Sequence, residues 1–418
     1  MIGSSSPLNY KESAVQTSRE GIDALPHKKS AVLTAYREHK PVRVPVTYGV
    51  NPRVVVLDPK WNPKGITFKD YFENVDALVD RQLAFMDYRF LYLNQYADDP
   101  VGRPEKFDLY VDNLNSYDSL FFGCPLHYRD GELPDTEPIL AGGNKNRLFE
   151  SFDMDHPLDN PFIRRNLARH ELLKKAAAKA AHHGVTLAVA PFSLAFDGHL
   201  TIATCLRGEE IYTDFYEDPD YLRKLLDFIV RAAMKRNHAL NDLFGLKPYD
   251  TDGGWFADDS IQLISTEMYR EFLLPLHRQW YAQWAKGGPH WIHLCGDATR
   301  HFPTIVKELN VRAFDTGFPV NHGKLRKELG PDVEILGGPE VGILLHGKPQ
   351  QVYDRTKAIL QSGIMEGGRF ILREANCLPP CVPEENLAAM YRCCLDHGNY
   401  PSHPTGVVST ASRRRSMK

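Results

Sequence analysis

From about residue 290 onward, this 418-residue chain alternates between short apolar runs and helix-period patterns. WIHL (291–294), VRAFD (311–315), VEILGG (333–338) and RFIL (369–372) read as buried strands. VRVPVTY (42–48) and VTLAVAP (185–191) are earlier runs of the same kind. Runs this dense in Val, Ile and Leu suit a parallel sheet covered by helices on its faces. The segments between them carry helix signals. In HFPTIVKELN, Phe302, Ile305, Val306 and Leu309 follow the helical period. At 218–240, Asp218 can cap a helix, Pro219 suits its first turn, and Leu222, Leu225, Leu226 and Ile229 share one face. Ser265 can cap a helix over 266–285, Pro349 opens one over 349–362, and Pro383 opens another that Gly398 closes. Repeated strand–helix units at this length predict an α/β fold, a (β/α)8 TIM barrel in preference to an open doubly wound sheet. The barrel should span 30–401, with an N-terminal arm at 1–29 and a polar basic tail at 402–418. The stretch 97–165, rich in Pro, Asp, Gly and aromatics, reads as an insertion at the barrel mouth, where such excursions shape pockets.

Composition removes several function classes. Lys+Arg 50 against Asp+Glu 53 leaves a net charge of −3, with no basic excess to suggest nucleic acid. No window nears eighteen continuous apolar residues, so no membrane span is expected. The first residues lack the charged and apolar regions of a secretory signal, and a cytoplasmic location is expected. Neither G-x-G-x-x-G after a strand nor G-x-x-x-x-G-K-[ST] occurs, which argues against nucleotide binding. The seven cysteines are odd in number and irregularly spaced, which favours free thiols or metal ligands over a disulfide framework.

Residues able to carry chemistry cluster at the predicted strand ends, where parallel barrels place their sites. His293 and Cys295 end the strand WIHL, and Cys377 follows RFIL. Imidazole and thiolate are zinc ligands, and a catalytic zinc needs three protein ligands and an open fourth position. An H-x-C pair by itself is equally a packed strand end. Cys381, four residues beyond Cys377, is a candidate further ligand. In DGGWFADDS, Asp252, Asp258 and Asp259 either serve as acid, base or substrate contact, or cap the next helix. Asp315 and Glu374 are either partners of a metal-bound imidazole or solvated loop charges. Tyr117, Phe121, Phe122, Tyr128 and Trp255 could wall an aromatic pocket, or belong to the core.

Several long phrases give these residues a family. ADDSIQLISTEMYREFLLPLHRQWY, WIHLCGDATRHFPTIVKELNVRAFDTG, LGGPEVGILLHGKPQQVYDRTKAIL and FILREANCLPPCVPEENLAAMYRCCLDHGNYP resemble the uroporphyrinogen decarboxylase superfamily, in its cobalamin-dependent methyltransferase branch. With YREHKPVRVPVTYG and RGEEIYTDFYEDPDYLRKLLDFI, the resemblance covers most of 30–401. It implies a TIM barrel, a Zn2+ held by His293, Cys295 and Cys377, and a corrinoid (cobalamin) brought by a partner protein. Asp258, Asp315 and Glu374 are then the expected catalytic carboxylates. Asp252, Trp255 and Tyr128 are the expected substrate contacts. The reaction implied is methyl exchange between the corrinoid cobalt and a small methylated or methyl-accepting substrate, with an aryl methyl ether as first choice and a thiol or amine as alternatives. A homodimer stays open as the assembly. Two other readings remain: a metal-independent decarboxylase, and a non-catalytic barrel that senses a corrinoid or a thiol. The decarboxylases' R-Q-A-G-R type segment has no counterpart in VPVTYGVNPRVVVLDP, which disfavours the first.

Overall fold

The computed structural model describes residues 25–248, 254–285 and 289–401. Among these, nine strands form: β1 (Lys106–Leu109), β2 (Leu126–His127), β3 (Asp135–Thr136), β4 (Thr186–Val189), β5 (Trp255–Ala257), β6 (His290–Leu294), β7 (Val311–Thr316), β8 (Glu334–Gly337) and β9 (Phe370–Leu372). The centre is a five-stranded parallel sheet in the order β5-β6-β7-β8-β9. A helix follows each of its strands, as parallel connections require. The helix Phe302–Leu309, for example, buries Phe302, Ile305 and Leu309. The Phe302 ring stacks on Phe314 of β7 at 4.2 Å between centroids.

The sheet continues past both edges, but irregularly. Val46 bridges Leu372 in parallel, and the Ala257 amide reaches the Phe196 carbonyl at 3.3 Å. β1 and β4 pair in parallel as a separate ribbon. The expected eight paired strands are therefore not found among the described residues, and the architecture stands as mixed α/β around a parallel sheet. Proline accounts for part of the difference. Pro45 sits in the 42–48 run and Pro191 just after β4, and proline has no N–H to give to a ladder.

The insertion expected at 97–165 is only partly an excursion. Its first element, β1, belongs to the parallel β1–β4 pair. Beyond it, β2 and β3 form a small antiparallel hairpin. Phe121, Phe122 and Phe152 then pack with Phe228 of the long helix Pro219–Phe244. That helix has the expected start, since the Asp218 side chain accepts the Tyr221 amide. Ser265 likewise caps its helix at Met268.

Candidate metal centre

Strand alternation sorts the residues of β6. Ile292 and Leu294 are buried at 0% and 1% exposure, while His293 and Cys295 point the other way, into a cavity of about 610 Å³. The register places His293 beside Asp315 of β7 and beside Ala257 of β5. Asp315 therefore lies on the same face as His293, and its Oδ2 is 2.8 Å from the imidazole Nδ1. Asp259, two residues beyond Ala257, shares that face. Its Oδ1 accepts the Cys295 amide at 2.7 Å and lies 3.9 Å from His293 Nε2. His293 Nε2 is 2.9 Å from Cys295 Sγ. The close approach of β7 requires glycine, because a Cβ on Gly317 would meet the Cys295 Cα at 2.7 Å.

Asp259, His293 and Cys295 can each direct one ligand atom so that all three lie within 4.8 Å of one another. Cys377 lines the same cavity but falls outside that cluster, its Sγ receiving the Asn51 amide nitrogen at 3.8 Å. Cys381 is exposed and lines a different depression with Asp58 and Trp61. A second group of carboxylate and imidazole, His199, Asp258 and His277, is fully buried.

In the metal-free site the candidate ligands hold their protons. Burial disfavours charge on His293, but hydrogen bonds to Asp315 and Cys295 outweigh it and hold its pKa well above the ordinary value. With Nδ1–H directed at Asp315, Nε2 is the nitrogen that faces the cavity donors. Burial pushes the thiols of Cys295 and Cys377 upward. A divalent cation would reverse that, because a coordinating thiol loses its proton.

The expected carboxylates take different places. Asp315 lines the cavity and also pairs with Arg373 at 3.1 Å. Glu374 is fully buried behind it, accepting the Gly49 amide at 2.9 Å and pairing with Arg373 at 2.8 Å. Burial raises the Glu374 carboxyl to about 7. Asp258 is also fully buried. It accepts the amides of Leu200 and Thr201 at the start of helix His199–Arg207, the Thr201 hydroxyl and His277 Nε2. Of the expected substrate contacts, Trp255 lines the cavity. Tyr128 packs edge-on against Phe72 away from the cavity lining, and Asp252 lies outside the described residues. Tyr117 lines the cavity, whereas Phe121 and Phe122 are core residues.

Sequence reading missed Asn51, Asp197 and Arg373 as cavity residues. A signal existed for Asp197: in APFSLAFDG an acid and a glycine directly follow a largely apolar run.

The uroporphyrinogen decarboxylase (URO-D) family profile matches residues 121–397, which hold His293, Cys295 and Cys377. The chain belongs to the URO-D family. Within that family its likeness is to the methyltransferase branch. It is 32% identical over 217 residues to the methylated-thiol–coenzyme M methyltransferase of Methanosarcina mazei. That match covers 51% of this chain and 53% of the relative, so the chain spans about half the length of the curated relative it matches. A solved methyltransferase from Methanosarcina mazei shares the fold, with a TM-score of 0.58 at 16% identity over 88% of this chain and 98% of that one. Among the described residues of this URO-D member, no helix is long and apolar enough to cross a membrane.

Proposed function

We propose that this URO-D family member is a zinc-dependent methyltransferase that exchanges a methyl group between a small substrate and a corrinoid protein. The observation that carries the reading is the His293–Cys295 pair at the end of β6, with Asp315 fixing the imidazole and Cys377 on the same cavity wall. Imidazole and thiol together match zinc, a borderline-soft ion that favours nitrogen and sulfur. His293, Cys295 and Cys377 would hold it, with Asp259 as a neighbouring oxygen donor. When bound, zinc supplies Lewis acidity toward the substrate heteroatom that carries or receives the methyl.

The chain's own residues do the positioning. Asp315 keeps the His293 tautomer, and Arg373 holds Asp315 against Glu374. The cavity, of a size usual for small ligands, offers Trp255 and Tyr117 as its aromatic wall. That wall is smaller than an aryl-specific pocket of five aromatics, so the methyl ether chemistry has to rest on other groups.

The test is metal content on chelator-free protein, beside methyl transfer to free cob(I)alamin followed by its visible spectrum. About one zinc per chain is expected from three closed ligands and one open position. Cys377→Ala should lose the zinc and the transfer together. A folded, zinc-free protein that still transfers methyl groups would end this reading.

A further inference from the structure

Asp197 is a cavity carboxylate that none of the proposed zinc chemistry uses. It follows Phe196, whose carbonyl accepts the Ala257 amide of β5. Gly198 makes that position attainable: its φ is 91°, and a Cβ there would meet the Ala257 carbonyl oxygen at 2.1 Å. The carboxyl is held on one side only. The Tyr117 hydroxyl donates to its Oδ1 at 2.5 Å, and its own amide donates to Asp118 Oδ2 at 2.9 Å. Among the described residues, the side-chain hydrogen bond of Asp197 is the one from Tyr117, and the side chain lines the cavity with His293 and Cys295.

The charges around it leave it without a counter-ion. Arg236, the nearby cation, is fully buried and spends its charge on Asp118 at 2.5 Å and its other amino group on the Ala195 carbonyl at 2.9 Å. Asp118 and Asp259 are the other acids acting on Asp197, and both oppose a charge there. Burial first, then Asp118, hold its proton up to about 8. A carboxyl that keeps its proton is a hydrogen-bond donor, and it needs an acceptor with a lone pair. A methyl ether oxygen provides one. A quaternary ammonium has none, and a thioether sulfur is a weak acceptor.

We propose that Asp197 is a catalytic acid of this cavity, hydrogen-bonding the oxygen of a neutral methyl ether substrate and protonating it as the methyl leaves. This rests on the methyl-transfer reading and assigns its substrate class. The methyl–oxygen bond breaks with both electrons left on oxygen, and that oxygen takes the proton from Asp197. The methyl passes to the cobalt(I) nucleophile of the corrinoid partner. Asp197 is left as a carboxylate beside the Tyr117 hydroxyl until water reprotonates it.

The experiment compares Asp197→Asn and Asp197→Ala with the wild-type chain, using 1,2-dimethoxybenzene as probe. Binding is read by equilibrium dialysis of the ether, zinc by metal content, and demethylation against pH with free cob(I)alamin. Asn still donates an N–H but has no proton to transfer. Asp197→Asn should therefore keep its zinc and bind the ether much as wild type does, while demethylation falls by roughly 10²–10⁴-fold. Asp197→Ala should lose binding as well. The wild-type rate should fall with rising pH as the Asp197 proton is lost, a decline absent from the residual rate of Asp197→Asn. Wild-type demethylation by Asp197→Asn, unchanged ether binding by Asp197→Ala, or no ether binding by wild type would each overturn the assignment. A wild-type protein without zinc or methyl transfer would instead sink the underlying reading, with the two binding comparisons still deciding whether Asp197 contacts the ether.

Discussion

Replacing Asp315 by Asn tests how the proposed zinc site is built. Asp315 Oδ2 lies 2.8 Å from His293 Nδ1, and its side chain is 14% exposed. The amide oxygen of Asn can still accept that hydrogen bond, so the ring orientation should survive. What is lost is the negative charge that makes the imidazole a stronger donor through Nε2. Arg373, which pairs with Asp315 at 3.1 Å, would then face the cavity less compensated and repel a cation. Removal of such a supporting carboxylate weakens metal affinity by roughly 10–100-fold. At about 1.4 kcal/mol per factor of ten, this is ~1.4–2.8 kcal/mol. Competition with a chromophoric chelator measures it, and urea unfolding of the metal-free protein checks that the fold is intact. Zinc affinity within twofold of wild type would refute the argument, because Asp315 would then not act on a zinc-binding imidazole.

Two predictions concern the scaffold. Arg236→Met should cost about 3–5 kcal/mol in urea unfolding, since it strands the buried Asp118 carboxylate; a loss below about 1 kcal/mol would show that the pair is dispensable. Acidification from pH 6.5 to about 4 should cost stability through two buried histidines. His301 and His322 are both lowered by burial from 6.5 to about 4, so within that window the unfolded chain binds protons the native chain refuses. The raised carboxyls of Asp197 and Glu374 act the other way in the same range, so the readout is a difference: between pH 6.5 and about 4, the melting temperature of His322→Gln should rise relative to that of wild type, and an unchanged difference would remove His322 from the account.

Much of the framework was legible from residue order because it rests on local physics. In the apolar runs at 311–315 and 333–338, Val311, Phe314, Val333 and Ile335 are buried, and β7 and β8 lie there. Asp218 and Ser265 cap the helices they precede, since capping depends only on residues two or three positions away. His293 and Cys295 also belong to this class, because two-residue alternation beside buried Ile292 and Leu294 sends both to one face.

Tertiary structure alone separated aspartates that look alike in sequence. Asp258 and Asp259 are neighbours, yet Asp258 is fully buried and accepts amides at the start of helix His199–Arg207, while Asp259 faces His293 and Cys295. It also took Tyr128, Phe121 and Phe122 out of the cavity and left Tyr117 and Trp255 in it. Asp197 gained its role only from non-local partners, Tyr117 and Asp118, which lie about eighty residues away in the chain. Local sequence thus determined which segments are strands and helices and which face the H-x-C pair takes. The tertiary fold decided which carboxylates stay unpaired in the cavity, because burial and ion pairing depend on residues far apart in the chain and no local pattern encodes them.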